Sequence, residues 1–202
     1  AFGSPRRMAL ALGVGDINEV AERVQGLLEL EPPRKMSEKL ALLPKLGELF
    51  SYLPKAVRKA PCKEVVMKEP SLDALPILKC WPEDGGRFIT LPLVFTQDPH
   101  SGTRNVGIYR MQVYDSGTTG MHWHPQKGGA EHLRLWQQVG ERMPVAVALG
   151  GDPATIYAAS APLPQGFDEL LFAGFLRGEG VEVVKCQTVP LEVPAHSEIV
   201  IE

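Results

Sequence analysis

Apolar positions recur at helical spacing early in the chain and at strand spacing later. Ile17, Val20, Val24, Leu27 and Leu28 fall on one face of a helix over residues 16–30. Asp16 can cap that helix, and Glu19 stands where a capping box places its acid. Glu31-Pro32-Pro33 ends it. A second helical pattern starts near Ser37 and carries Leu40, Leu43, Leu46, Leu49 and Phe50, with a kink at Pro44. Residues 53–80 are proline-rich and read as a connector with one short strand over 64–67. From Phe88 the pattern turns to β. Strands are predicted over 88–96, with Pro92 marking an edge or bulge, and over 104–115 and 121–124, joined as a meander. A helix over 130–140 turns Leu133, Trp136 and Val139 inward, and a strand covers 144–149. Asp152-Pro153 opens another helix, residues 168–176 form the next, and strands follow over 181–185 and 198–201. Strands with inserted helices predict an α+β fold around a small β-barrel. Residues 1–80 read as the remnant of an N-terminal domain with its connector, and 81–202 as the barrel domain.

Composition narrows the class. The chain has 202 residues, 44% of them hydrophobic, enough for one good core. A net charge of -3 gives no basic face for nucleic acid, and no apolar run is long enough to cross a membrane. Cys62, Cys80 and Cys186 form no C-x-x-C pair and read as reduced thiols in a cytoplasmic protein. Arg6-Arg7 before Met8-Ala9-Leu10-Ala11-Leu12 resembles the start of a signal segment, but the apolar run is short, and a small buried helix is the simpler expectation. The chain starts at Ala1 and stops within the alternation Ser197-Glu198-Ile199-Val200-Ile201-Glu202, so both ends read as cuts.

Candidate chemistry lies in three places. Arg110 sits in an otherwise apolar strand and needs an anionic partner, either a core salt bridge or a ligand. Asn105 and Arg110 are five apart and would face opposite sides of an ideal strand, so one site for both requires a bulge, expected at Gly107. Lys127-Gly128-Gly129 precedes a helix, which makes either a phosphate cradle or a plain glycine turn. His122 and His124 share a strand face as metal ligands do, but no acid follows at cupin spacing. Glu169, taken alone, is a helix-start acid favoured by the dipole.

These pieces, in this order, resemble the UbiD-type decarboxylases. The resemblance is carried by Gly86-Arg87-Phe88-Ile89-Thr90-Leu91-Pro92-Leu93-Val94, Asp98-Pro99, Arg104-Asn105-Val106-Gly107-Ile108-Tyr109-Arg110-Met111-Gln112 and Met121-His122-Trp123, with Phe2-Gly3-Ser4 and Arg6-Arg7-Met8-Ala9-Leu10 resembling the family's first-domain segment. Lys127-Gly128-Gly129-Ala130, Gly151-Asp152-Pro153-Ala154, Phe172-Ala173-Gly174 and Val183-Val184-Lys185-Cys186 continue it. It implies a split β-barrel that binds prenylated FMN through Mn2+ or Mg2+, with K+ as a further ion. Asn105 and Glu169 match the metal ligands. Ile108, Tyr109, Arg110, His122, Trp123, His124, Lys127 and Gly128 match cofactor contacts. Some members carry a histidine ligand at the Lys127 position, so the third ligand stays open here. Arg110 matches the residue that holds the substrate carboxylate. The acid that protonates the product is expected beyond residue 202. The implied activity is non-oxidative decarboxylation of an aromatic or α,β-unsaturated acid, with quinone biosynthesis as the setting. A flavin prenyltransferase would supply the cofactor, and the full-length protein would be a homo-oligomer. A flavin- or phosphate-binding module without catalysis, and an ordinary FMN oxidoreductase, are the rival readings.

Overall fold

The computed structural model describes residues 3–28, 47, 49–164 and 166–202. Most of the second helical pattern, and the Pro32-Pro33 stop before it, lie outside the described residues.

Local sequence accounts for the helix starts. Helix α1 (Pro5–Ala11) begins with proline at its first turn, and the Ser4 hydroxyl accepts from the Arg7 amide. Its interior is mostly open: Ala9 is buried but Leu10 is exposed, so it is only partly the buried helix expected. In α2 (Ile17–Leu28) the capping box forms as predicted. The Asp16 amide donates to Glu19 Oε1 at 2.9 Å, and Asp16 Oδ1 accepts from the Asn18 amide at 2.8 Å. Helix α3 covers Gly128–Val139 and ends at Gly140, whose φ of 83° suits only glycine. Helix α4 (Pro153–Ala158) is capped by Asp152, which accepts from the amides of Ala154 and Thr155. Helix α5 (Glu169–Arg177) is capped by Asp168. Arg177 reaches Asp152 at 2.9 Å and ties the end of α5 to the start of α4.

Ten short strands form three open sheets, so no closed barrel exists among the described residues. The four-stranded sheet has the order β10 (Ile199–Ile201), β7 (Ala146–Leu149), β3 (Leu93–Gln97), β4 (Arg104–Ile108), all antiparallel. A second sheet joins β2 (Arg87–Ile89), β5 (Met111–Val113) and β6 (Thr119–Met121). The third pairs β1 (Lys55–Ala56) in parallel with β8 (Glu182–Lys185), and β8 with β9 (Glu192–Pro194).

The two long strands predicted over 88–96 and 104–115 are each broken at a shared corner. Leu93 pairs with Ile108 on one side of it and Ile89 with Met111 on the other. Three residues, Thr90-Leu91-Pro92, therefore oppose two, Tyr109-Arg110, which is a one-residue bulge. It falls on the Pro92 side, as the proline suggested, and not at Gly107, which stays in register opposite Val94. Residues 64–67 form no strand, and the strand expected over 121–124 is β6, ending at Met121.

The four-stranded sheet is buried on both faces. Leu93, Phe95, Val106, Ala146 and Ala148 pack against α4, α5 and the β8–β9 hairpin. Val94 and Val147 point the other way, to a smaller core with Ile89, Tyr109, Met111 and Val113. Leu12 and Val20 join the larger core, and β1 joins the third sheet, so the first residues of the chain pack with the rest.

Gly174 marks the tightest helix approach. A side chain there would run into the Tyr52 carbonyl oxygen, which is backbone and cannot rotate away. Alanine would gain about 1 kcal/mol of helix propensity. Overpacking costs about 1–3 kcal/mol. Gly174→Ala is expected to lower stability on balance, and urea unfolding measures it; an unchanged or raised midpoint would show that Tyr52 yields.

Candidate functional site

A cleft of about 790 Å³ opens beside the corner. Its walls are β4 and the Tyr109-Arg110 step, the segment 122–128 leading into α3, and residues 159–164 and 166–167 before α5. Of the residues predicted from sequence, Asn105, Ile108, Tyr109, Arg110, His122, His124, Lys127, Gly128 and Glu169 all line it. Trp123 does not. It lies behind the wall, edge-on to Tyr109 at 5.9 Å between ring centroids, and its buried Nε1 has no partner.

Strand β4 is an edge strand, so every second amide faces away from the sheet. The Val106 amide is one of these, and it donates to Glu169 Oε2 at 3.1 Å. Arg104 grips the same helix start through Asp168 at 2.9 Å, with Glu192 at 3.8 Å. The two residues that flank Asn105 are thereby tied to the start of α5, which carries Glu169. Burial pushes the Glu169 carboxyl up to about 7, opposed by the amides of Glu169 itself and Val106. A carboxylate in that state is stabilised by any cation that reaches it.

Glycines set the other wall. Any Cβ on Gly128 would collide with Asn105 Oδ1, so the start of α3 can sit this close only without a side chain. The Tyr109 hydroxyl accepts from the Gly129 amide at 3.2 Å and from Asn105 Nδ2 at 3.4 Å. Its ring lies where a Cβ on Gly107 would be, which is why glycine stands in mid-strand. Lys127 is the N-cap of α3; its side chain caps nothing and is exposed at the cleft. A lysine beside the amides of a helix start is a donor set for phosphate.

His122 and His124 follow β6 in extended chain, not within a strand as predicted, and their rings meet at 4.8 Å. The described residues contain no cluster of three or more His, Cys, Asp or Glu able to hold a metal. Arg110 is already paired: Nη2 lies 2.9 Å from Asp84 Oδ2, and its Cζ lies 3.8 Å from the centroid of the Phe88 ring.

Sequence reading missed Asp84, which is far from Arg110 along the chain and lies in a turn with no periodicity. It also missed His132. Val139, predicted inward, is exposed, and the face of α3 against the sheet is Gly128, His132 and Trp136 at four-residue spacing. That spacing was the available signal. His132 Nδ1 meets Thr96 Oγ1 at 2.9 Å, and the Trp136 indole donates to Gln97 O at 2.8 Å.

The chain thus combines helices and small sheets around a cleft lined by the oxygen donors Asn105 and Glu169 and the cationic groups Arg110 and Lys127. The family model for the UbiD 3-octaprenyl-4-hydroxybenzoate carboxy-lyase Rift-related domain matches residues 55–202, and the chain belongs to that family. A protein of Archaeoglobus fulgidus is 53% identical over 203 residues, and one of Aquifex aeolicus 45% over 202. Both alignments cover all of this chain, which spans 42% of each relative. The UbiD-class enzyme HmfF from Pelotomaculum thermopropionicum, in complex with FMN, superposes with a TM-score of 0.80 at 30% identity. That match covers 98% of this chain and 41% of HmfF. An evolved dimeric form of HmfF in complex with prFMN gives the same score, with 98% and 42% covered. Vanillic acid decarboxylase of Sedimentibacter hydroxybenzoicus in its closed form gives 0.78 at 29%, covering 98% of this chain and 40% of that one.

Burial depresses the His132 imidazole below its ordinary 6.5, outweighing Asp98 and Glu131. Below 6.5 the unfolded chain then takes up a proton that the folded chain refuses, so this contribution to stability is lost as the pH falls. Unfolding free energy measured from pH 7 downward is expected to drop through this window, and His132→Gln is expected to flatten that arm.

Proposed function

We propose that this chain is the cofactor-binding part of a prenylated-FMN-dependent decarboxylase acting on an aromatic or α,β-unsaturated carboxylic acid. The observation that carries the reading is the convergence of Asn105, Lys127, Glu169 and Arg110 on one cleft. The same fold superposes on a prFMN-bound relative, which supports reading these residues together.

The residues fit the group. Asn105 offers an amide oxygen and Glu169 a buried carboxylate, hard donors suited to Mn2+ or Mg2+. Lys127 and the glycine-opened start of α3 would take the phosphate, leaving the third ligand and the K+ site unassigned. Ile108 and Tyr109 form the floor, and the Tyr109 hydroxyl holds both Asn105 and Gly129 in place. His122 and His124 line the rim beside Arg110, whose carbonyl accepts from the His122 amide at 3.1 Å. Trp123 serves from behind, as a prop for Tyr109. When bound, the prenylated flavin supplies the electron sink for loss of carbon dioxide. Arg110 binds and orients the departing carboxylate. We assign the proton donor to sequence beyond residue 202, and the two sheets meeting at the corner to a split barrel. Quinone biosynthesis, supply by a flavin prenyltransferase, homo-oligomeric assembly and a cytoplasmic setting complete the reading.

Arg110→Ala is expected to lose about 2–4 kcal/mol of transition-state stabilisation, roughly 30- to 1000-fold in turnover. Flavin content and melting temperature should stay near those of the parent. Turnover, flavin absorbance and melting measured on one preparation test this, with mass spectrometry of the bound cofactor. Unchanged turnover would remove Arg110 from the chemistry. A flavin-loaded protein that shows no turnover before mutation would favour a binding module. Glu169→Gln should separately lower bound manganese, read by elemental analysis.

A further inference from the structure

The turn at residues 81–86 places a carboxylate on the guanidinium assigned above to the substrate. Asp84 Oδ2 accepts from Arg110 Nη2 at 2.9 Å, and Oδ1 lies 3.5 Å from Nη1, an end-on fork. Arg110 Cζ also lies over the Phe88 ring, 3.8 Å from its centroid, so the guanidinium is held from a second side. Asp84 is the more buried partner, its side chain 13% exposed against 37% for Arg110.

Asp84 is also well braced. Its amide donates to Trp81 O at 3.1 Å, and its Oδ2 accepts from the Trp81 amide at 3.2 Å. Gln112, on the strand after Arg110, donates to Gly85 O at 3.0 Å and packs so closely that a Cβ on Gly85 would lie 3.1 Å from its Nε2. The turn is therefore fastened to the strand beside the arginine it serves, and Asp84 keeps the Trp81 contact when Arg110 turns to another partner.

We propose that Asp84 is a positioning residue for Arg110: it holds the guanidinium over Phe88 at the cleft and competes with an incoming carboxylate for it. The inference rests on reading Arg110 as the group that binds a substrate carboxylate. An intramolecular carboxylate at high effective concentration keeps weak anions off the arginine. A carboxylic acid displaces it only when the rest of the site also holds that acid, so the pair acts as a selectivity filter.

The test is labelling of Arg110 by phenylglyoxal, read by peptide mass spectrometry on the purified protein that carries this chain, with benzoate as the protecting carboxylate. Asp84→Asn keeps an acceptor for the Trp81 amide but removes the charge. It is expected to label about tenfold faster than the parent, and about tenfold less benzoate should protect it, the equivalent of ~1.4 kcal/mol. Asp84→Glu should label near the parental rate. Melting temperatures check that each variant is folded, and Asp84→Ser repeats the measurement if Asp84→Asn is not. Equal labelling of parent and Asp84→Asn overturns the proposal. Equal benzoate protection of both overturns the competition while leaving Arg110 as a carboxylate site. Protection of neither removes the reading of Arg110 itself, and the proposal with it.

Discussion

The cleft depends on how one edge strand disposes of an unpaired amide. Among the described residues strand β4 pairs with β3 alone, and the outward Val106 amide must find an acceptor. It finds the first side chain of α5, Glu169. The same strand sends Arg104 to the Asp168 cap of that helix. Two successive helix-start residues are thus fixed by two residues of β4 that flank Asn105. A sheet edge that would otherwise template aggregation is covered by the start of α5, and Asn105 and Glu169 both line the cleft there. The energetic tension sits in Glu169, whose burial is only partly offset by the amides it accepts.

The opposite wall relies on missing side chains. Gly107 admits the Tyr109 ring, Tyr109 holds Gly129, and Gly128 admits Asn105 Oδ1. Each contact needs the next, because the Tyr109 hydroxyl reaches both Gly129 and Asn105 only if its ring lies across Gly107. The start of α3 is pinned further along by His132 on Thr96 and Trp136 on Gln97. The site is therefore built on strands and a helix held by packing, which is the arrangement that keeps donors in place before a ligand arrives.

The order of elements was legible in the sequence wherever local chemistry decides it. Asp16 and Asp152 each cap the helix they announced, Asp168 caps a helix it was expected to begin, and the apolar alternation marked β3, β4, β7 and β8. The division into three sheets was not legible. The split between the β3–β4 sheet and the β2–β5–β6 sheet falls at a single bulge where three residues oppose two, and the fold of a strand across a corner leaves only Pro92 as a trace; the third sheet is built from other strands. β1 and β9 are too short to show a period, and both are specified by partners far along the chain. The candidate residues were legible mainly through family resemblance. Residue types alone left Gly107 as a bulge, whereas its role is to make room for Tyr109, a contact that exists only once the strand is folded.

The two central charges of the cleft are in opposite conditions, and that contrast organises the site. Glu169 is a buried acid that accepts from the Val106 amide, and Arg104, whose ion pairs go to Asp168 and Glu192, offsets only part of the effect of burial. Arg110 is a half-buried base that already has an acid. The Glu169 end is therefore completed by adding positive charge, and the Arg110 end by exchanging one carboxylate for another. A ligand with a metal-bound phosphate at one end and a neighbouring carboxylate at the other meets both requirements at once. A ligand carrying only one of them leaves either Glu169 uncompensated or Asp84 in place. One short stretch of backbone, β4 and the Tyr109-Arg110 step, carries Asn105, Tyr109 and Arg110, so the contacts proposed for metal, flavin and carboxylate would share a single support.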